Sequence, residues 1–319
     1  MARVVVTREI PHDAIEALEA VHDVWVSPHD RPLDLEELYD AVTGADAVVA
    51  LLHDRIDGAF LAAAGKNLKV VANVAVGYNN IDVEACRARG VVATNTPGVL
   101  TDATADIAFA LILMSTRRLG EAERMVRRGL RWSWNMFFHL GMGIQGKTLG
   151  IVGLGQIGTA TARRGQAFGM KIAYAGRRRA ERAVEDELGA RFLELDELFA
   201  TCDVISLHCP LDAATRHLVD ARRLALMQPH AYLVNTTRGP VVDEAALVDA
   251  LRDGRLGGAG LDVYENEPEI HPGLLELENV VLLPHLGSST VETRREMALL
   301  AARNVLAVLA GEQPPTPIT

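Results

Sequence analysis

Three residues in the second half of the sequence are of types that together can reduce a carbonyl group: Arg238, Glu267 and His285. A histidine, with an ordinary pKa of about 6.5, can donate a proton to a carbonyl oxygen as hydride arrives at its carbon. A glutamate that accepts from the other ring nitrogen fixes the tautomer and favours the protonated ring. An arginine can pair bidentately with a substrate carboxylate. Each of the three lies just past a predicted strand, at 232–235, 259–263 and 280–283 respectively. Ligands of open α/β sheets bind beyond the carboxyl ends of the strands, so residues remote in sequence can converge there. Taken singly, each has an ordinary reading too: a loop arginine is commonly a surface charge, and His12, His22, His29 and His230 read as solvent-facing or structural. His208, near another strand end, competes for the acid–base role, but it precedes Cys209 and Pro210 on what would be the adenine side.

The elements that must position these residues start from a glycine motif, Gly153-Leu154-Gly155-Gln156-Ile157-Gly158. It follows a predicted strand at 149–152 and opens a predicted helix at 157–168, which is the context a dinucleotide requires. Gly153 permits the tight turn, Gly155 lets the backbone approach a pyrophosphate, and Gly158 allows close helix–strand packing. The helix N-terminus offers free N–H groups and partial positive charge to the phosphates. A second glycine run, 257–260, leads into a strand and has no helix dipole to offer, so it reads as turn chemistry only. An acidic residue normally follows the motif by about 20 residues to bind the ribose 2′-hydroxyl of NAD. Here Ala175 and Gly176 are followed by Arg177, Arg178 and Arg179. That substitution favours NADP(H), with NAD(H) as the weaker alternative, because guanidinium groups suit a 2′-phosphate. The competing reading is a solvated basic helix start.

Around this motif, short β-branched runs alternate with helical patterns. Strands are predicted at 3–7, 24–27, 47–51 and 69–73, with helices at 14–21 and 35–42 between them. A second series follows at 149–152, 171–175, 204–207, 232–235, 259–263 and 280–283. Alternation of this kind implies mostly parallel sheets covered by helices. The fold class is therefore α/β, with two doubly wound units. The last helix, 291–309, follows the second unit but is expected to return and pack on the first, and the proline-containing tail 313–319 reads as a surface terminus. A long helix at 101–118 leads to Trp132, Trp134, Met136, Phe137 and Phe138, crowded into a stretch with little pattern. That stretch reads as an apolar arm for a second subunit rather than a buried loop.

Composition bounds the function. At 319 residues, 49% hydrophobic and 23% charged, the chain has the make-up of an ordinary globular protein of two domains, not a disordered one. A net charge of −10 argues against nucleic acid as a partner. The three cysteines, Cys86, Cys202 and Cys209, lack any CxxC spacing, so neither a disulfide framework nor a zinc or other metal site is expected. The N-terminus carries no signal-peptide pattern and no apolar run approaches membrane-spanning length, so a cytoplasmic protein without a membrane partner is expected.

Five segments, 73–82, 95–107, 146–158, 234–243 and 260–289, resemble the D-2-hydroxyacid dehydrogenase family, and most nearly its glyoxylate/hydroxypyruvate reductase branch. The resemblance runs nearly the whole chain. It implies two Rossmann-like domains, the dinucleotide-binding one (98–286) inserted into a substrate-binding one (1–97 and 287–319), with a dimerisation arm at about 120–145. It also implies Arg238, Glu267 and His285 as catalytic residues, and backbone amides at Val76 and Gly77 as holders of the substrate carboxylate. Ser288 would lie beside the active histidine. Thr101, the glycine motif, Arg177, Arg178, Cys209, Pro210, Thr237 and Asp262 would contact the cofactor, with Asp262 at the nicotinamide carboxamide. The partners implied are a small 2-oxo or 2-hydroxy acid and a second copy of the chain, as a homodimer. The sequence departs from the branch in the arm, where Met136, Phe137 and Phe138 stand near the place of a common tryptophan. His53 stands where related enzymes often carry serine, close to the expected substrate loop, and it reads as a surface residue rather than a modest specificity element.

The expected reaction is NADPH-preferring reduction of glyoxylate to glycolate and of hydroxypyruvate to D-glycerate. The alternatives are an NAD-dependent dehydrogenase of the phosphoglycerate or D-lactate type, or a non-enzymatic dinucleotide-sensing scaffold. Formate dehydrogenases share the fold, but usually carry glutamine where this chain has Glu267.

Overall fold

The structure, a computed structural model, describes all 319 residues. The chain divides into two compact units, Met1–Leu100 with Ser289–Thr319, and Thr101–Ser288.

The first unit contains β1 (Arg3–Val6), α1 (His12–Glu19), β2 (Asp23–Val26), α2 (Leu35–Val42), β3 (Ala47–Ala50), α3 (Gly58–Ala64), β4 (Val70–Asn73), α4 (Val83–Ala88) and β5 (Val92–Thr94). Its five strands are all parallel, in the order β2-β1-β3-β4-β5. Both faces are apolar, so consecutive strand residues serve opposite cores. Val5, Val48 and Val71 pack with Leu38, Phe60 and Leu61, while Val4, Val49 and Val70 pack with Leu18 and with Ala298, Ala301 and Val305. Those last three belong to the closing helix Val291–Leu309, which returns to this sheet as expected. Its buried stripe includes Ala298, Ala301 and Ala302, which let the helix lie close to the strands.

The second unit contains α5 (Thr101–Thr116), α6 (Leu119–Arg127), β6 (Thr148–Val152), α7 (Gln156–Ala167), β7 (Lys171–Ala175), α8 (Arg182–Leu188), β8 (Arg191–Phe192), α9 (Leu195–Thr201), β9 (Val204–Leu207), α10 (Ala221–Leu224), β10 (Tyr232–Asn235), α11 (Glu244–Arg252), β11 (Gly258–Leu261), α12 (Pro272–Leu275) and β12 (Val280–Leu282). The closing helix Val291–Leu309 is α13. Seven parallel strands run in the order β12-β11-β10-β9-β6-β7-β8. The order reverses between β6 and β9, which places a ligand crevice at the carboxyl ends of those two strands.

Four features differ from the sequence reading. The sheets gain β5 and β8, three and two residues long, too short to carry a pattern. Gly258 and Gly260 are not turn residues but lie inside β11: a Cβ on Gly260 would sit 2.9 Å from Leu111 Cβ, and one on Gly258 would sit 2.4 Å from the Asn279 carbonyl oxygen. Gly260 lets α5 lie against the strand, and Gly258 lets the Asn279 backbone beside β12 approach it. The tail is not a loose terminus, because Ile318 N–H donates to the Ala93 carbonyl at 2.9 Å and Pro317 bridges Thr94, covering the β5 edge. The arm contains a helix, α6, whose first turn is tied by the Arg118–Glu121 pair.

Candidate active site

The glycine turn sits at the switch point. Gly153 has φ of +97°, a conformation that favours glycine, and a Cβ on it would lie 3.0 Å from the His208 carbonyl and the Cys209 nitrogen. The β6 turn thus packs directly on the β9 loop, bringing Gly153 and Cys209 together. Gly155 is the N-cap of α7, no side chain caps it, and a Cβ there would meet nothing within 4 Å. With no side-chain cap, the first-turn N–H groups of α7 are left for an anion, and the space beside Gly155 is open. A Cβ on Gly158 would sit 2.2 Å from the Gly153 carbonyl oxygen, so α7 starts as close to β6 as backbones allow. These residues fit a dinucleotide pyrophosphate. Burial pushes the His208 imidazole down to about 3, and its Nε2 lies 2.9 Å from Ser206 Oγ. It is therefore neutral at ordinary pH and is no proton donor.

The three arginines after β7 separate in space. Arg179 Nε donates to Glu185 Oε1 at 2.8 Å, and the buried Tyr174 hydroxyl donates to the same oxygen at 2.6 Å while accepting from Ala180 N–H at 2.8 Å. Arg179 is thus spent on bracing its own loop. Arg177 reaches Asp212 at 3.4 Å, and Arg178 is exposed and forms no ion pair.

Beyond β10, β11 and β12 the three candidate catalytic residues converge. His285 Nδ1 lies 2.7 Å from Glu267 Oε2, and the other carboxylate oxygen accepts from Tyr264 N–H at 2.9 Å. Burial pushes Glu267 up, but the hydrogen bond and charge of His285, the Tyr264 amide and the charge of Arg238 together hold it below the usual carboxylate range. It is a carboxylate at neutral pH, so it accepts and the His285 Nδ1 carries the proton. This leaves Nε2 as the nitrogen that can serve a substrate. Burial lowers the Arg238 pKa while the charge of Glu267 opposes that shift, and Arg238 Nη1 donates to the Thr237 carbonyl at 2.8 Å.

Asn235, Gly239 and Glu244, which were not among the expected site residues, hold this cluster in place together with Asp262. Asn235, the last residue of β10, accepts from Thr237 N–H at 3.0 Å and from its hydroxyl at 2.8 Å, and donates to the Arg238 carbonyl at 3.0 Å. Gly239 lets the Arg238 loop press on the next one, since a Cβ there would sit 1.8 Å from Tyr264 C and O. Buried Glu244 accepts from Glu265 N–H at 2.7 Å. Asp262 is fully buried, and its two oxygens accept from Leu286 N–H at 2.6 Å and Gly287 N–H at 2.8 Å, while its carbonyl accepts from His285 N–H at 2.8 Å. Its carboxylate is aimed first at the loop that carries His285; each oxygen keeps a lone pair for a further donor. Ser288 follows that loop, half-buried, and Thr101 is the first residue of α5. Leu154 and Pro210 flank the turns that carry Gly153 and Cys209.

In the first unit, the loop after β4 presents a pair of amides. The Ala75 carbonyl accepts from Thr96 N–H at 2.9 Å and the Val76 carbonyl accepts from Asn95 Nδ2 at 2.8 Å. In a trans peptide the N–H points opposite to the C=O, so the N–H groups of Val76 and Gly77 face the other way, with no acceptor in the protein.

This arrangement places a glycine turn suited to a dinucleotide and a His285–Glu267 pair near Arg238 at the carboxyl edge of the larger sheet. Residues 109–287 match the family described as D-isomer specific 2-hydroxyacid dehydrogenase, NAD binding domain. The chain is 47% identical to a glyoxylate reductase of Thermococcus litoralis over 320 residues, covering 98% of this chain and 95% of the relative. A crystal structure of a glyoxylate reductase from Paecilomyes thermophila superposes with a TM-score of 0.89 at 36% identity, covering 99% and 98% of the two chains. An NADPH-dependent glyoxylate/hydroxypyruvate reductase of Sinorhizobium meliloti, crystallised with NADP and malonate, does so with a TM-score of 0.86 at 35% identity, covering 100% and 97%. The chain belongs to the D-isomer specific 2-hydroxyacid dehydrogenase family and is an NAD(P)-binding oxidoreductase. No helix is long and apolar enough to cross a membrane.

Proposed function

We propose that this protein is an NADPH-preferring reductase of small 2-oxo acids, turning glyoxylate into glycolate and hydroxypyruvate into D-glycerate. The observation that carries the reading is the 2.7 Å pair of His285 Nδ1 and Glu267 Oε2 near half-buried Arg238. It supports a proton donor of fixed tautomer next to a carboxylate-binding cation. The unit 101–288 takes the dinucleotide, on the glycine turn, the α7 N-terminus, Cys209, Pro210, Thr237, Thr101 and Asp262, and the remaining unit serves the substrate. A bound nicotinamide supplies the hydride. Arg238 and the amides of Val76 and Gly77 orient the substrate carboxylate, with Ser288 beside the histidine. His285 Nε2 gives its proton to the substrate oxygen, and Glu267 stabilises the ring through that transfer.

The NADPH preference is supported by the lack of any acid at Ala175 or Gly176, by exposed Arg178 and by Arg177, which Asp212 holds only at 3.4 Å. An NADP complex of the Sinorhizobium relative points the same way. A homodimer is supported by the arm, where Trp134, Met136 and Phe137 are 74%, 71% and 84% exposed. Apolar side chains so exposed in one contiguous segment mark a protein contact.

The test follows the nicotinamide absorbance with NADPH or NADH against glyoxylate, hydroxypyruvate and pyruvate. Turnover with NADPH and either of the first two acids supports the proposal. Turnover with NADH alone refutes the cofactor preference and keeps the reaction. Cofactor binding with no turnover on any 2-oxo acid favours a sensing scaffold.

A further inference from the structure

We infer that Thr316 and Asn304 are positioning residues for the substrate carboxylate, acting through Asn95 on the Val76 and Gly77 amides. The inference rests on the proposed role of those amides. Its starting point is an anomaly: Asn304 is completely buried in α13, beside Ala301 and Val305 of the apolar stripe. A buried amide must find partners. Asn304 Oδ1 accepts from Thr316 N–H at 3.1 Å, and its Nδ2 donates to Thr316 Oγ1 at 2.8 Å and to the Asn95 carbonyl at 3.4 Å.

Thr316 carries the link onward. Its hydroxyl donates to the Asn95 carbonyl at 2.6 Å, and its own carbonyl accepts from Asn95 N–H at 3.3 Å. The Asn95 main chain is thereby gripped from both polar groups, and its side chain reaches the Val76 carbonyl at 2.8 Å. That last bond sets the tilt of the 76–77 peptide plane, and hence the direction of the Gly77 N–H. A hydrogen bond to a carboxylate weakens steeply as its angle departs from linearity. Small shifts of Asn95 therefore reach the binding of the substrate's acid group, though Thr316 is 221 residues away from Asn95 in sequence.

The experiment compares Thr316→Val, which removes the hydroxyl at nearly constant volume, Thr316→Ser, which keeps it, and Asn95→Leu. KM for glyoxylate, kcat, the Kd for NADPH and the melting temperature are measured for each full-length protein. One lost hydrogen bond predicts a roughly two- to tenfold rise in KM for glyoxylate in Thr316→Val, and at least as large a rise in Asn95→Leu. kcat and the Kd for NADPH should stay within about twofold, and Thr316→Ser should recover the parent KM. A rise in Asn95→Leu without one in Thr316→Val overturns the inference and leaves the amide role standing. An unchanged KM in both overturns the amide role as well. A rise in Thr316→Val that Thr316→Ser shares, or that comes with an equal loss of NADPH affinity, reduces the network to a structural one. If Asn95→Leu does not fold, the two Thr316 variants decide alone.

Discussion

Gly155 and Gly158 stand three residues apart, yet the geometry assigns them opposite consequences when each is replaced by alanine. At Gly155 the backbone has φ of −83°, which any residue adopts, and an added Cβ meets nothing within 4 Å. Gly155→Ala should therefore leave the fold intact, and stabilise it by about 0.4–1 kcal/mol through the unfolded chain. The open volume it fills is the one proposed for the pyrophosphate. NADPH affinity should fall at least tenfold, about 1.4 kcal/mol. At Gly158 the added Cβ would lie 2.2 Å from the Gly153 oxygen, where ordinary contact begins at 3.4 Å, so helix and turn must separate by about 1.2 Å (3.4 − 2.2). Overpacking of that kind costs about 1–3 kcal/mol. For a unit spanning 101–288, this lowers the melting temperature by roughly 2–12 °C at 2–4 °C per kcal/mol. Circular dichroism melts and fluorescence titration with NADPH separate the two signatures. If Gly155→Ala binds NADPH as tightly as the parent, the turn is not the phosphate cradle and the cofactor assignment fails.

Three further outcomes are expected. Glu267→Gln should lower kcat about 100-fold or more with little change in NADPH affinity. Because Glu267 titrates below its ordinary value in the fold, its stabilisation is full above about pH 4.3 and is lost as pH falls through its folded value. The parent's stability margin over the variant, measured by urea unfolding at stepped pH, should shrink on acidification. Glu244 has the opposite sign: burial pushes its pKa up, so its ionisation costs stability as pH rises from about 4.3 through the folded value. Glu244→Gln, which keeps an acceptor for Glu265 N–H, should gain on the parent with rising pH, and a pH-independent difference would count against that reading. Changing Trp134 and Phe137 together to glutamate should convert a dimer to monomer by light scattering while leaving the melting curve of the monomeric fold unchanged. A monomeric parent refutes the arm's proposed role.

What was legible in the sequence follows from range. The strands Lys171–Ala175, Val204–Leu207 and Tyr232–Asn235 are runs buried on both faces, and their residue types alone delimit them. The His285–Glu267 pair was readable because each residue follows a strand whose carboxyl end is a ligand edge. Arg179 misled, because the sequence cannot show that Glu185, itself held by the Tyr174 hydroxyl, claims it. The need for glycine at position 260 depends on Leu111 of α5, more than 140 residues earlier in the chain. Pairing of Ile318 with Ala93 and the Thr316–Asn95 bond leave no local trace either.

The edge proposed for catalysis carries costs that packing alone would not retain. His285 sits at φ of +56°, a left-handed conformation that costs a non-glycine residue on the order of 1–3 kcal/mol. Burial pushes up the carboxyl groups of Asp262 and Glu244, so each is destabilised when charged. These strains are coupled. The three bonds from residues 285–287 to Asp262 hold the histidine in its left-handed state, and the Glu244–Glu265 bond fixes the loop that carries Glu267. Replacing Asp262 by a shape-matched neutral residue would remove a buried charge, yet it would also release the backbone that aims the imidazole. A gain in stability with a loss of kcat in Asp262→Asn would mark this carboxylate as kept for the reaction, and a loss of both would assign it to the fold.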